Sequence, residues 1–320
     1  MNSLQRHLRR RKTSLICTKR DIISYAIIIG TVMLLLGHGA CAESSDYSWI
    51  QDEFNNLVDK FTSSDDNDFN SNGIIVPASR LKSTDLILDV GSDPEKYIYG
   101  AVHIPFTAFM ENNSIKSLPA IAAIIGDAGI SRNDSVALYG KCLPCGGGPS
   151  TATFVYWIMR YAGHENVKLI DGGYEEWVRE GGQTQSVPSL RNKTAFVLHP
   201  RSELLAEFSY VARGGAQLVD ARSSKDFFLG TIPGSMNIPY DNVIEGDKIK
   251  NESSLKSIFR EVNKNKPVVV YTATGVKASV VWFALTLMGY DAKLYTFQDW
   301  YYNKGPIYLP ARRNVIETEI

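Results

Sequence analysis

The chain has 320 residues, 44% apolar and 21% charged, a composition that supports a sizeable core and excludes disordered, collagen-like and coiled-coil chains. Lys and Arg together number 34 and so do Asp and Glu, so the neutral total gives no sign of a nucleic-acid binder. Four cysteines are too few for a disulfide scaffold of this size and enough for one reactive site or one bridge.

The charge is unevenly spread. Residues 1–42 carry Arg6, Arg9, Arg10, Arg11, Lys12, Lys19 and Arg20 against Asp21 alone, which leaves 27 basic and 33 acidic groups in 43–320, a net charge of −6. The apolar run 22–37 follows, and small residues end at Ala40-Cys41-Ala42. A basic segment, an apolar segment and an A-x-A end predict a secretory signal peptide cleaved after Ala42. The alternative is an uncleaved membrane tether through residues 22–37, and a lipoprotein site at Cys41 is disfavoured by His38, where an aliphatic residue is wanted. Each reading puts the body outside the cytoplasm, periplasmic or extracellular. Next come Trp49, Ile50, Phe54, Leu57, Val58 and Phe61 at helical spacing, then a polar acidic stretch ending at Gly73, read as a short docked helix and a linker over 43–72.

From Gly73 one pattern is written twice. Leu86-Ile87-Leu88-Asp89-Val90, Gly100–Pro105 and Ser135–Tyr139 in the first copy answer to Gln217–Ala221, Gly234–Pro239 and Val268–Tyr271 in the second. The intervals match: Asp89 to Asp220, Pro105 to Pro239, Tyr139 to Tyr271. This is an internal duplication. Apolar, β-branched runs alternate with helical stretches at Thr151–Ala162 and Val276–Met288, which predicts α/β domains, each a mostly parallel central sheet flanked by helices. The expected division is domain 1 over 73–183, a linker over 184–203 containing Pro188 and Pro200, and domain 2 over 204–320.

In open α/β sheets ligands gather where strands end and helices begin. Two segments hold that place, Gly140–Pro149 and Thr272–Ser279. The second copy carries Asp220-Ala221-Arg222, the run Gly230–Pro239, and Tyr271-x-x-x-Gly275-x-Lys277-Ala278-Ser279; the first carries Tyr139, a Gly-rich loop, Tyr156-Trp157, Gly163-His164, Asp171-Gly172-Gly173 and Trp177. With these motifs in this order, residues 73–305 resemble a tandem rhodanese-type sulfurtransferase.

The resemblance implies a cysteine directly after the Tyr-ended strand of the second copy, which takes a sulfane sulfur as a persulfide and passes it on. Thr272 stands there, and a hydroxyl carries no persulfide, so domain 2 is expected to be inert by that route, with Thr272, Gly275 and Lys277 left to hold a small anion; the rival to sulfur transfer is a non-catalytic rhodanese-fold protein that binds a partner or such an anion. The first copy departs the other way: its loop holds Cys142 and Cys145 as C-x-x-C. Cys145, nearer the helix start, is the expected nucleophile and Cys142 its resolving partner; Gly146, Gly147 and Gly148 would turn amides inward and Lys141 would add positive charge. Three readings of the pair stay open: persulfide carriage, thiol–disulfide exchange, and a structural disulfide. Metal binding is disfavoured because no further ligands lie nearby, and no cofactor is expected. The implied partners are a small sulfur donor such as thiosulfate and a thiol or cyanide-like acceptor.

A phosphatase reading of the same fold needs Cys-x5-Arg and fails, because Gly148 and Thr151 stand six residues after Cys142 and Cys145. His103 and His164 read as surface or core residues, and Trp157, Trp177, Trp282 and Trp300 as helix-to-sheet packing. The first copy lacks the arginine that follows the strand aspartate, having Gly91, a change that suggests relaxed constraint or a different substrate.

Overall fold

The computed structural model describes residues 73–142 and 147–310. The basic and apolar N-terminal segment with its tether or cleavage site, the helix expected before residue 62, Cys145 and Gly146 lie outside the described residues.

Domain 1 runs β1 (Ile75–Val76), β2 (Asp85–Asp89), β3 (Tyr97–Ile98), β4 (Val102–His103), a hairpin of β5 (Met110–Glu111) and β6 (Ser114–Ile115), α1 (Leu118–Asp127), β7 (Ser135–Tyr139), α2 (Ser150–Tyr161), β8 (Val167–Ile170), α3 (Gly173–Arg179) and β9 (Thr184–Gln185). Its sheet has the order β1-β8-β7-β2-β4, every pair parallel. Domain 2 repeats the plan: α4 (Phe208–Arg213), β10 (Gln217–Asp220), α5 (Ser224–Leu229), β11 (Ser235–Asn237), a hairpin of β12 (Ile244–Glu245) and β13 (Lys248–Ile249), α6 (Glu252–Ile258), β14 (Val268–Thr272), α7 (Ala278–Leu287), β15 (Ala292–Thr296) and α8 (Phe297–Tyr302). Its sheet is β11-β10-β14-β15, again parallel throughout.

The unbroken apolar strands are central strands, as a sheet covered on both faces requires: Val268 through Thr272 are all buried. The helices after β7 and β14 are buried on nearly every side, Ser150–Met159 in α2 and Ala278–Leu285 in α7. A helix enclosed in this way lies between two bodies. Here α2 and α7 pack on their own sheets and on each other, with Tyr156 against Trp282 (6.3 Å between ring centroids) and edge-on to Phe283 (5.0 Å). Capping side chains start the outer helices: Ser223 accepts from Asp226 N–H, Asn251 from Ser254 N–H and Thr296 from Asp299 N–H.

The polar stretch between the copies is laid along domain 1. Ser189 N–H donates to Ala101 C=O (2.7 Å), Thr194 N–H to Gly126 C=O (2.9 Å) and His199 N–H to Ala162 C=O (3.1 Å), while Phe196 is buried and stacks on His164. His164 is a core residue. Trp157, Trp282 and Trp300 are buried between helix and sheet, and Trp177 donates its indole N–H to Gln183 C=O.

Candidate functional site

The duplication brings equivalent residues to the carboxyl edges of the two sheets. In domain 2 the fully buried Asp220 carboxylate ends β10. Arg222 N–H caps its Oδ1 (3.0 Å), and the same residue's guanidinium forks onto it, Nε to Oδ1 (3.0 Å) and Nη2 to Oδ2 (2.6 Å). Nη2 also donates to Gly230 C=O (2.6 Å), and the guanidinium carbon lies 3.9 Å from the Phe297 ring centroid and 5.9 Å from that of Tyr271. Tyr271 and Phe297 stack at 6.0 Å. The Tyr271 hydroxyl bonds Thr231 and Ser235 and accepts from Ile232 N–H, and burial, with Asp220 adding to it, pushes its pKa up to about 12. This edge is closed by its own side chains.

The loop after β14 is closed as well. Thr272 sits at the strand end, and its Oγ1 accepts from Gly275 N–H (3.2 Å) and Ala278 N–H (3.3 Å). Gly275 has φ +89°, which lets the loop turn its amides toward that oxygen. The Lys277 ammonium lies 4.5 Å over the Tyr240 ring. The structure thus brings Thr272 and Gly275 together, while Lys277 is turned onto an aromatic ring.

Domain 1 has the same frame and an open interior. Asp89 ends β2, and Gly91 N–H caps its Oδ1 (2.9 Å) as Arg222 N–H caps Asp220. Tyr139 and Tyr174 stack at 6.4 Å, and Ile98 N–H donates to the Tyr139 hydroxyl (2.9 Å), matching Ile232 and Tyr271. Burial, with Asp89 alongside, raises the pKa of Tyr139. His103, opposite Asp89 in register, places Nδ1 3.1 Å from Asp89 Oδ1. With glycine at 91, a cavity of about 520 Å³ stands at the edge, lined by Asp89, Gly91, Tyr139, Lys141, Tyr174 and, from domain 2, Asp247.

The C-x-x-C loop borders this cavity through Gly140, Lys141, Gly148 and Pro149. Cys142 is buried at 3% exposure and disulfide-bonded. Its carbonyl accepts from Gly147 N–H (3.0 Å). Gly147 (φ +71°) and Gly148 (φ +69°) adopt the left-handed conformation that turns the chain into α2. The positive charge expected of Lys141 is offset: its Nζ bonds Glu175 (3.1 Å) and Asp247 (3.0 Å). Partial burial works against its charged form, but the two carboxylates outweigh it and hold its pKa above the usual lysine value. Lys248, beside Asp247, reaches Asp171 (3.2 Å) and Glu176 (3.3 Å) of domain 1, so the β12–β13 hairpin fastens one wall of the cavity. Sequence reasoning missed this: Asp247 lies 106 residues from Lys141, and only the duplicated fold brings them together.

Comparison with known proteins agrees with the two-copy frame. The model of the rhodanese-like domain matches twice, over residues 78–180 and 208–301. A Mycobacterium bovis protein provisionally named thiosulfate sulfurtransferase 1 is 25% identical over 229 residues, which cover 63% of this chain and 81% of that protein. The sulfur carrier protein TtuD of Thermus thermophilus is 28% identical over 197 residues, 53% of this chain and 67% of that one. Among solved structures, the rhodanese-fold 3-mercaptopyruvate sulfotransferase SseA of Escherichia coli superposes with a TM-score of 0.63 at 22% identity, covering 69% of this chain and 97% of SseA. The chain therefore belongs to the rhodanese-like family and carries two copies of its domain.

Proposed function

We propose that this protein is an exported rhodanese-type sulfurtransferase whose thiol chemistry resides in the domain 1 loop. The observation that carries this reading is the contrast between the two strand ends. Thr272 holds the nucleophile's position in domain 2 with its hydroxyl already on the loop amides, while in domain 1 Cys142 is buried in a loop whose Gly140 and Lys141 line an open cavity. The names of the Mycobacterium and Thermus relatives support sulfur transfer as the chemistry. In this arrangement domain 2 serves as a support, since Asp247 and Lys248 fasten the domain 1 site.

In this reading the bonded partner of Cys142 is Cys145, the other cysteine of the C-x-x-C loop. The cycle starts when an external dithiol reduces that disulfide and is itself oxidised to a disulfide. The Cys145 thiolate then attacks the sulfane sulfur of a thiosulfate-like or persulfide donor. The donor's S–S bond breaks, and sulfite or a thiolate leaves with the electron pair. An acceptor thiolate or cyanide removes the outer sulfur, and the Cys145 thiolate leaves. Attack by the Cys142 thiolate on the inner sulfur instead expels hydrosulfide and forms the disulfide. Turnover of the reduced protein with donor and thiol acceptor tests this: Cys145→Ser should abolish transfer and Thr272→Ala leave it unchanged. Transfer that survives Cys145→Ser would overturn it.

The disulfide at Cys142 favours a second reading, thiol–disulfide exchange. Under it, a mixed disulfide with a dithiol substrate accumulates on Cys142→Ser, and no sulfur adduct forms on the reduced wild type.

A further inference from the structure

We propose that the domain 1 cavity binds a small molecule carrying a guanidinium group, which occupies the place that the Arg222 side chain occupies in domain 2. The two sheet edges are the same apparatus built twice. Asp89 and Asp220 end equivalent strands, their Oδ1 atoms are capped by the amides of Gly91 and Arg222 at 2.9 and 3.0 Å, and each faces a stacked aromatic pair, Tyr139–Tyr174 or Tyr271–Phe297. In domain 2 this apparatus holds a guanidinium, forked on the carboxylate and lying 3.9 Å over the Phe297 ring centroid. In domain 1 the residue that would supply it is Gly91, and the carboxylate and both rings line a cavity of about 520 Å³ instead.

A carboxylate fork beside an aromatic face selects a planar, delocalised cation over a compact ammonium. The surroundings carry the same sign. Asp93, Glu95, Glu175 and Asp247 join Asp89 around the cavity, against Lys96 and a Lys141 already held by two of those carboxylates. Such a lining attracts cations. His103 holds Asp89 from the strand side through Oδ1, the position Asn237 takes opposite Asp220, and the ring side of the carboxylate is left for the ligand. The volume falls in the range of small-molecule sites and exceeds what a guanidinium alone fills, so the rest of the ligand extends toward the C-x-x-C loop. This proposal concerns binding and stands or falls independently of sulfur transfer.

The test is a calorimetric and NMR titration of the purified full chain with methylguanidinium chloride, its neutral isostere methylurea, and methylammonium. Saturable methylguanidinium binding that shifts the Tyr174 ring resonances is expected, with methylammonium weaker and methylurea silent. Gly91→Arg, which installs the domain 2 side chain, should weaken methylguanidinium binding by at least about ten-fold, as loss of charged hydrogen bonds implies. Agmatine should bind more tightly than methylguanidinium, through its longer body. Equal responses to methylguanidinium and methylurea in the wild type, or unchanged binding in folded Gly91→Arg, would overturn the proposal. The wild-type comparison decides the matter even if the variant does not fold.

Discussion

The hydroxyls of Thr153 and Ser279 lie 2.9 Å apart in the buried contact between α2 and α7, and the two residues hold the same place in the duplicated pattern. Tyr156 and Trp282, one helical turn further on, are likewise equivalent and likewise in contact. The two domains therefore meet through matching faces of their central helices. Ser150 C=O lies 3.1 Å from the Thr153 hydroxyl and Val276 C=O 2.7 Å from that of Ser279, so the two hydroxyl protons are shared between the pair and these carbonyls.

Removing one member of this pair leaves a buried hydroxyl short of a partner. Thr153→Val should lower the unfolding free energy by about 1–3 kcal/mol. Adding Ser279→Ala should cost less than the sum of the two single changes, because the pair is coupled. Denaturant unfolding of the four species in a cycle measures this, and strictly additive losses would contradict the shared bond.

Arg222 is the structural counterpart of the proposed ligand, and its removal strands a fully buried carboxylate. Arg222→Met should destabilise the protein by roughly 3–5 kcal/mol, the usual cost of breaking one side of a buried pair. The loss is expected to fall on domain 2, seen as earlier exchange of the β10 and β14 amides. A loss below about 1 kcal/mol would mean that the guanidinium is dispensable to the Asp220 edge.

Thr272 accepts two loop amides, the environment that lowers a thiol's pKa. Thr272→Cys should therefore give domain 2 a thiol that alkylates with iodoacetamide faster near neutral pH than free cysteine does, and that takes up one sulfur from a persulfide donor. An alkylation rate no faster than that of free cysteine would show that the loop has lost the polarity needed for a thiolate.

Much of the fold was legible because the sequence states it twice. Buried apolar strands and enclosed helices leave runs such as Val268–Tyr271 and Val276–Met288 whose order alone implies parallel α/β domains. The site was legible only along the strand-to-helix loops. Gly91 in place of arginine was visible in the sequence, yet its consequence, an open cavity, depends on Tyr174 and Asp247 arriving from elsewhere in the chain. The same distance effect turned Lys141 from an unopposed cation into the centre of a three-residue ion cluster. The polar composition of the segment between the copies concealed its backbone pairing with domain 1, since backbone hydrogen bonds leave little trace in side-chain type.

His164 gives the protein an acid-sensitive core. Burial disfavours its imidazolium, so its pKa in the folded chain lies below the ordinary 6.5. As pH falls, the unfolded chain takes up this proton first. The contribution of the neutral ring is therefore present above about pH 6.5 and declines as pH drops through and below it. The urea midpoint should fall between about pH 7 and pH 5.5, and His164→Leu should flatten that slope; identical slopes in the two proteins would exclude His164 as its source.

In the proposed cycle, sulfur is carried by the domain 1 loop. Intact-mass measurement and peptide mapping of the fully reduced protein after exposure to a thiosulfate or persulfide donor test it most directly. The expected result is one adduct of about 32 Da, a single sulfur atom, on the peptide holding Cys142 and Cys145, absent in Cys145→Ser. A fully reduced protein that neither acquires sulfur on this peptide nor releases hydrosulfide, with a Cys142→Ser variant that also takes up none, would contradict it.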